Sequence, residues 1–207
     1  MNVEQAKELC VLAHKGQYRR PREMTKFELI EFNREENTFI LESSGNKVIR
    51  GDKTFRYEYV VQEPYSNHPI EVADMMETDE EKIVAYLHDV IEDCKDYCLS
   101  VLPSSKGGYI NNYVIWYNNT IPYEVEPITA EALLLLTKKR EETYTEFINR
   151  LVREPRHTNY FYYSESSIIR KLATKVKIAD ITCNLLDNPS ENQKKKYRKA
   201  MKILLKG

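Results

Sequence analysis

The sequence predicts a mainly helical domain interrupted twice, and three observations carry that expectation. Apolar residues recur at three- and four-residue spacing at the N-terminus and again from Pro69 onward. Between about residues 21 and 63 this rhythm gives way to short β-branched and aromatic runs separated by turn residues. The 207-residue length suits one domain, 1–207, carrying insertions, and 42% hydrophobic residues suffice for a core.

The first helix is read over Val3 to Lys15, where Val3, Ala6, Leu9, Cys10 and Ala13 line one face. After Pro21, four runs read as short strands: Phe27 to Phe32, Thr38 to Leu41, Lys47 to Ile49, and Phe55 to Val61. Gly45-Asn46 and Gly51-Asp52 supply turns between them, so residues 21–63 are expected to form a small antiparallel β element. Ile70, Val72, Ala73 and Met76 then mark one helix; Ile83, Val84, Leu87, Val90 and Ile91 mark the next. Residues 97–127 hold Pro103, Gly107-Gly108, Asn111-Asn112, Asn118-Asn119 and Pro122, and read as an irregular, tyrosine-rich excursion. Helices are expected again over 128–139, 142–153, 165–187 and 190–206.

The balance of 31 Lys+Arg against 32 Asp+Glu gives a net charge of −1, but the charges are segregated. Residues 71–96 hold ten acidic side chains and two lysines, whereas residues 190–207 hold seven basic ones and one Glu. A neutral total argues against bulk nucleic-acid binding. The local clusters suit a metal ion and phosphate respectively, or else solvated helix faces. No apolar run approaches the roughly 18 residues of a membrane span, and the N-terminus lacks the layout of a secretory signal. A soluble cytoplasmic protein is the expectation, with Cys10, Cys94, Cys98 and Cys183 as reduced thiols.

The chemistry concentrates on few residues. Tyr86 to Asp93 contains His88-Asp89 followed by Glu92-Asp93, so on a continuous helix His88 faces Glu92 and Asp89 faces Asp93. His68 precedes Pro69 at the start of the preceding helix, and Asp180 ends the apolar stretch from Val176. Two imidazoles and two carboxylates (His68, His88, Asp89, Asp180) make an N/O donor set for Mn²⁺, Fe²⁺ or Zn²⁺. A His-Asp dipeptide alone reads as well as a satisfied core histidine. Lys177, Lys138, Lys139, Arg140 and Lys194 to Lys196 are the basic candidates for facing an anionic substrate, with solvated surface as the plainer reading of each.

Four blocks in order carry a resemblance. They are Ala13 to Arg20; Pro64 to Ala73; Tyr86 to Asp93; and Val176 to Asn184. Together they resemble the HD-domain phosphohydrolases, and are most similar to the hydrolase half of the RelA/SpoT-type alarmone enzymes and their small stand-alone relatives. Leu136 to Tyr144, with Phe147 to Arg150, resembles the bacterial single-domain branch. The resemblance implies an all-α, HD-type helical bundle, to which the residue pattern adds a small antiparallel β insertion near the N-terminus. It implies His68, His88, Asp89 and Asp180 as ligands of a divalent metal, usually Mn²⁺. Glu92 and Asp93 then match the pair that positions and deprotonates the attacking water. Asn184 matches a polar contact to the nucleotide, and Arg19 and Arg20 match the pair that brackets the base. The implied reaction removes the 3′-pyrophosphate of guanosine tetra- or pentaphosphate.

The chain departs from the small relatives in the 43 residues between Arg20 and Pro64 and in residues 97–127. The first insertion suits a lid, a dimer contact or a larger substrate. The aromatics of the second, Tyr109, Tyr113, Trp116, Tyr117 and Tyr123, suit base stacking or simple loop packing. Three readings stay open: alarmone hydrolysis, the same chemistry on another phosphorylated nucleotide, or a module that binds a nucleotide or protein with slow turnover. A small-molecule nucleotide is the expected partner, and self-association stays open.

Overall fold

The computed structural model describes residues 1–19, 22–25, 41–42, 47–48, 56–61, 64–93, 100–106, 109–117, 121–153, 160–187 and 189–206. Side chains are described for 1–19, 64–93, 123–153, 166–187 and 189–206. Two units emerge: Met1–His14 with His68–Gly207, and Lys15–Asn67.

The larger unit is mostly helical. Helix α1 (Val3–Ala13) starts at a reciprocal cap, where the Asn2 side chain accepts from the Gln5 N–H and Gln5 Oε1 accepts from the Asn2 N–H. It buries Ala6, Leu9, Cys10 and Ala13, the face its spacing predicts. Helix α2 (Asn67–Asp74) buries His68, Pro69, Val72 and Ala73. Helix α3 (Asp79–Leu87) opens with a Thr78/Glu81 capping box and packs on α1. A single turn, α4 (Val90–Asp93), follows directly.

Further along, α5 (Pro127–Leu136) has proline at its start, where the missing N–H costs nothing. Helix α6 (Tyr144–Val152) is capped by Thr143 and Glu146. Helix α7 (Tyr160–Leu186) is the longest described helix, and α8 (Glu191–Leu204) closes the unit. Helix α7 packs on α3, α5, α6 and α8, and so runs against most of the core. Leu9, Leu87, Leu133, Phe147, Ile148, Leu151 and Ile181 are fully buried there.

Two expectations are corrected. The helix expected through Val90 and Ile91 is two helices, broken at His88-Asp89. The His88 Nδ1–H donates to the Ala85 carbonyl at 2.6 Å, and a side chain that takes a late helical carbonyl closes the helix there. The Asp93 N–H then bonds the Asp89 carbonyl at 2.8 Å and helical pitch resumes.

Residues 97–127, expected to be irregular, instead contain an antiparallel meander of Ser100–Lys106, Tyr109–Tyr117 and Ile121–Val125. The Pro, Gly and Asn residues masked its period. Tyr109, Val114, Ile115, Trp116 and Tyr117 are strong strand formers, and the paired Lys106 and Tyr109 are separated by only two residues. Pro103 and Pro122 lie on the two outer strands, where a missing N–H is tolerated. The Met1 ammonium donates to the Glu124 carbonyl on the last of these strands.

In the smaller unit, Gly16 adopts φ 79°, a left-handed conformation that favours glycine. Strands Arg22–Thr25, Leu41–Glu42 and Lys47–Val48 each pair antiparallel with Arg56–Val61. Tyr18 forms a bridge with Pro64, and the Tyr65 N–H bonds the Gln17 carbonyl at 3.0 Å. The chain therefore leaves at Gln17-Tyr18 and returns beside it. The strand expected over Phe27 to Phe32 lies outside the described residues.

Candidate metal centre

Three segments far apart in sequence converge in the larger unit. His68 sits in the first turn of α2, His88 and Asp89 at the α3/α4 break, and Asp180 within α7. His68, His88 and Asp180 are buried, and Asp89 is half-buried. His68, His88 and Asp89 each offer a donor atom within 4.8 Å of the others, a spacing that could hold a metal ion. His88 Nε2 lies 3.2 Å from Asp89 Oδ1 and 3.8 Å from Asp180 Oδ1. His68 Nε2 lies 2.9 Å from Asp180 Oδ1 and 3.8 Å from Asp89 Oδ2. The two imidazoles meet edge to face, with centroids 5.6 Å apart.

The tautomer of His88 follows from its partners. Ala85 O can only accept, so His88 Nδ1 carries the proton of that bond. In the neutral ring this leaves a lone pair on Nε2, aimed among carboxylate oxygens and buried with no hydrogen-bond partner among the described residues. Lone pair against carboxylate is repulsive unless a cation lies between them. Without a metal, that cation is a proton: burial alone would lower the pKa of His88, but Asp89 and then Asp180 push it up to about 9. A divalent metal satisfies the same demand, and the backbone-anchored Nδ1–H is the usual support for a ligating Nε2. The donor set fits a metal of the N/O type.

Asp180 is held on every side. Oδ1 accepts from His68 Nε2 at 2.9 Å and from Asn184 Nδ2 at 2.5 Å, while Oδ2 pairs with Lys177 Nζ at 2.7 Å. Burial alone would raise its pKa, but the Lys177 charge, helped by the His68 hydrogen bond, holds the carboxyl well below its usual range. Lys177 is half-buried; desolvation would lower its pKa, yet Asp180 raises it above the ordinary lysine value. Its ammonium also lies 5.3 Å from the Phe147 ring centroid.

The remaining predicted site residues are distributed as follows. Glu92 is half-buried and accepts from the Lys138 N–H through Oε2 at 3.3 Å. Asp93 is exposed at the end of α4. Asn184 and Lys177 both engage Asp180. Arg19 is half-buried in the Lys15–Asn67 unit, and Arg20 lies outside the described residues. Sequence reasoning gave no role to Tyr144, the first residue of α6, whose hydroxyl oxygen is buried without a hydrogen-bond partner among the described residues. The spot falls at the end of the Leu136 to Tyr144 block of the resemblance, which assigns the tyrosine no contact.

No known family model matches the chain, and no curated protein matches it. Among the described residues, no helix is long and apolar enough to cross a membrane.

Proposed function

We propose that the chain is a metal-dependent phosphohydrolase. Within that class its motifs point to an alarmone hydrolase, one that removes the 3′-pyrophosphate of guanosine tetra- or pentaphosphate. The observation that carries the class is the convergence of His68 and Asp180, 112 residues apart, with His88-Asp89, around a histidine lone pair that demands a cation.

A divalent cation held there, Mn²⁺ by resemblance, would supply an acidified water and polarise a phosphoryl oxygen. His68, His88, Asp89 and Asp180 are the residues that would hold it. Lys177 and Asn184 keep the Asp180 carboxylate ionised and fixed in direction. Glu92, anchored by the Lys138 N–H, is the proton acceptor: water adds to phosphorus, its proton passes to Glu92, the bond to the ribose 3′ oxygen breaks, and that oxygen takes a proton from solvent water to leave as the 3′ hydroxyl. Asp93, next in the same turn, completes the acidic pair.

The test is product analysis with guanosine tetraphosphate on metal-stripped protein, with and without added Mn²⁺. GDP and pyrophosphate should appear only with metal, and Asp89→Ala should abolish the reaction while far-UV circular dichroism keeps its helical signal. Manganese binding without product would overturn the alarmone reading and direct the search to other phosphorylated nucleotides. Failure to bind a divalent metal would overturn the class.

A further inference from the structure

Tyr144 is a tyrosine whose hydroxyl does nothing within the described fold. Its backbone is fixed by the cap before it, where Glu146 Oε2 accepts from the Thr143 N–H at 2.8 Å and Thr143 Oγ1 accepts from the Glu146 N–H at 3.2 Å. Its ring packs on the buried Phe147, with centroids 6.2 Å apart, and the Phe147 ring in turn carries the Lys177 ammonium that pairs with Asp180. Phe147 and Lys177 thus link Tyr144 to the Asp180 of the metal centre. Burial, opposed by Lys177 and reinforced by Asp180, pushes its pKa up to about 12, so the hydroxyl keeps its proton and is a donor at any working pH.

Buried hydroxyls nearly always find a partner, and one left alone calls for an explanation. The neighbourhood offers one. The Lys196 ammonium lies 4.7 Å from the Tyr144 ring centroid and 4.6 Å from that of Tyr197. Partial burial of the ammonium against the rings and the Lys177 charge lower the pKa of this lysine by more than Asp180 raises it. A cavity of about 120 Å³ is lined by Thr143, Tyr144, Lys196 and Lys199 among others, several times the roughly 10–15 Å³ that one water needs. Lys196 is an exposed residue with a long unbranched stem, so its ammonium can leave the ring faces without unfolding anything.

We propose that the Tyr144 hydroxyl and the Lys196 ammonium receive a phosphoryl group of the substrate beside the metal centre. Lys196 swings off the two tyrosine rings to meet the anion, and that movement uncovers the Tyr144 hydroxyl to donate to it. The inference rests on the phosphohydrolase reading and adds two residues that neither the dipeptide motif nor the ligand set identifies.

Calorimetric titration of the manganese-loaded protein with inorganic pyrophosphate, at fixed free manganese, tests it. Tyr144→Phe should bind manganese as the wild type does and melt no lower without ligand, because it discards an unpaired buried hydroxyl. It should bind pyrophosphate about tenfold more weakly, as expected for losing a hydrogen bond to a charged group. Lys196→Gln, on an exposed position, should weaken pyrophosphate by a similar factor at low salt and by less at high salt. Unchanged pyrophosphate affinity in both variants, with wild-type binding intact, would overturn this proposal and leave the hydrolase reading standing. A manganese-loaded wild type that ignores pyrophosphate would overturn both.

Discussion

The Lys177–Asp180 pair offers the sharpest test of how the centre is built. Lys177→Met removes the ammonium but keeps the length of the stem and its packing near Phe147. At 2.7 Å and an effective dielectric constant of about 20, the Coulomb attraction between Nζ and Oδ2 is about 6 kcal/mol. Part of this is offset, because the variant no longer desolvates a lysine. Breaking a buried pair from one side typically costs about 3–5 kcal/mol. Asp180 keeps its bonds from His68 and Asn184, which puts the expected loss near the lower end, about 3 kcal/mol. The assay is urea unfolding of metal-free protein at pH 7, wild type against variant. Because the variant leaves an uncompensated carboxylate, Mn²⁺ should stabilise it more than it stabilises the wild type. A loss below about 1 kcal/mol would refute the reasoning, since that is the range of a solvated surface pair.

Two further predictions concern the frame around the site. Arg150 donates to both Glu142 oxygens at 2.7 and 2.9 Å and to the Leu135 and Thr137 carbonyls, joining α6 to the end of α5. Arg150→Met should cost about 2–3 kcal/mol in urea unfolding, because a mostly buried carboxylate and two carbonyls lose charged donors. The Arg150 hydrogen bonds hold the Glu142 pKa below its usual value, so this stability is present above the unfolded carboxylate pKa and is lost as pH falls through the lower folded value. The gap between wild type and variant should therefore narrow in acid; a gap constant from pH 7 down to pH 2 would exclude the linkage. At the α3 cap, Thr78→Ala should cost about 1 kcal/mol, read as a shift in thermal midpoint, because the Glu81 N–H loses its acceptor at 3.3 Å. A midpoint within error of the wild type would exclude the cap as a stabilising element.

Much of the helical frame was readable because its apolar residues repeat with the helical period. The α1 face of Ala6, Leu9, Cys10 and Ala13 is buried as its spacing requires, and the expected helices over 128–139 and 142–153 correspond to Pro127–Leu136 and Tyr144–Val152. The meander over 100–125 was hidden because Asn111-Asn112 and Pro103 sit inside its strands and interrupt the alternation on which strand recognition depends. The break at His88-Asp89 left no mark in helix propensity. It arises from one side-chain contact, His88 to Ala85 O, that periodicity cannot express. The donor residues were legible from residue type and order, whereas their support was not: that Lys177 and Asn184 both point at Asp180 depends on their positions three residues before and four after it along α7, on the face turned to the core.

That break has a consequence for the chemistry. On an uninterrupted helix, His88 and Asp89 would project about 100° apart and Glu92 would sit directly below His88. Ending α3 at Leu87 and restarting at Val90 brings His88 Nε2 and Asp89 Oδ1 within 3.2 Å, so adjacent residues act on one point. Glu92 is meanwhile carried on a separate turn and fixed by the Lys138 backbone instead of by His88. A carboxylate in direct contact with His88 would be drawn into the charge balance of the centre and lose its value as a base. Under the proposed hydrolase reading, separating the two by a helix break would keep one pair of acids for the cation and another for the proton.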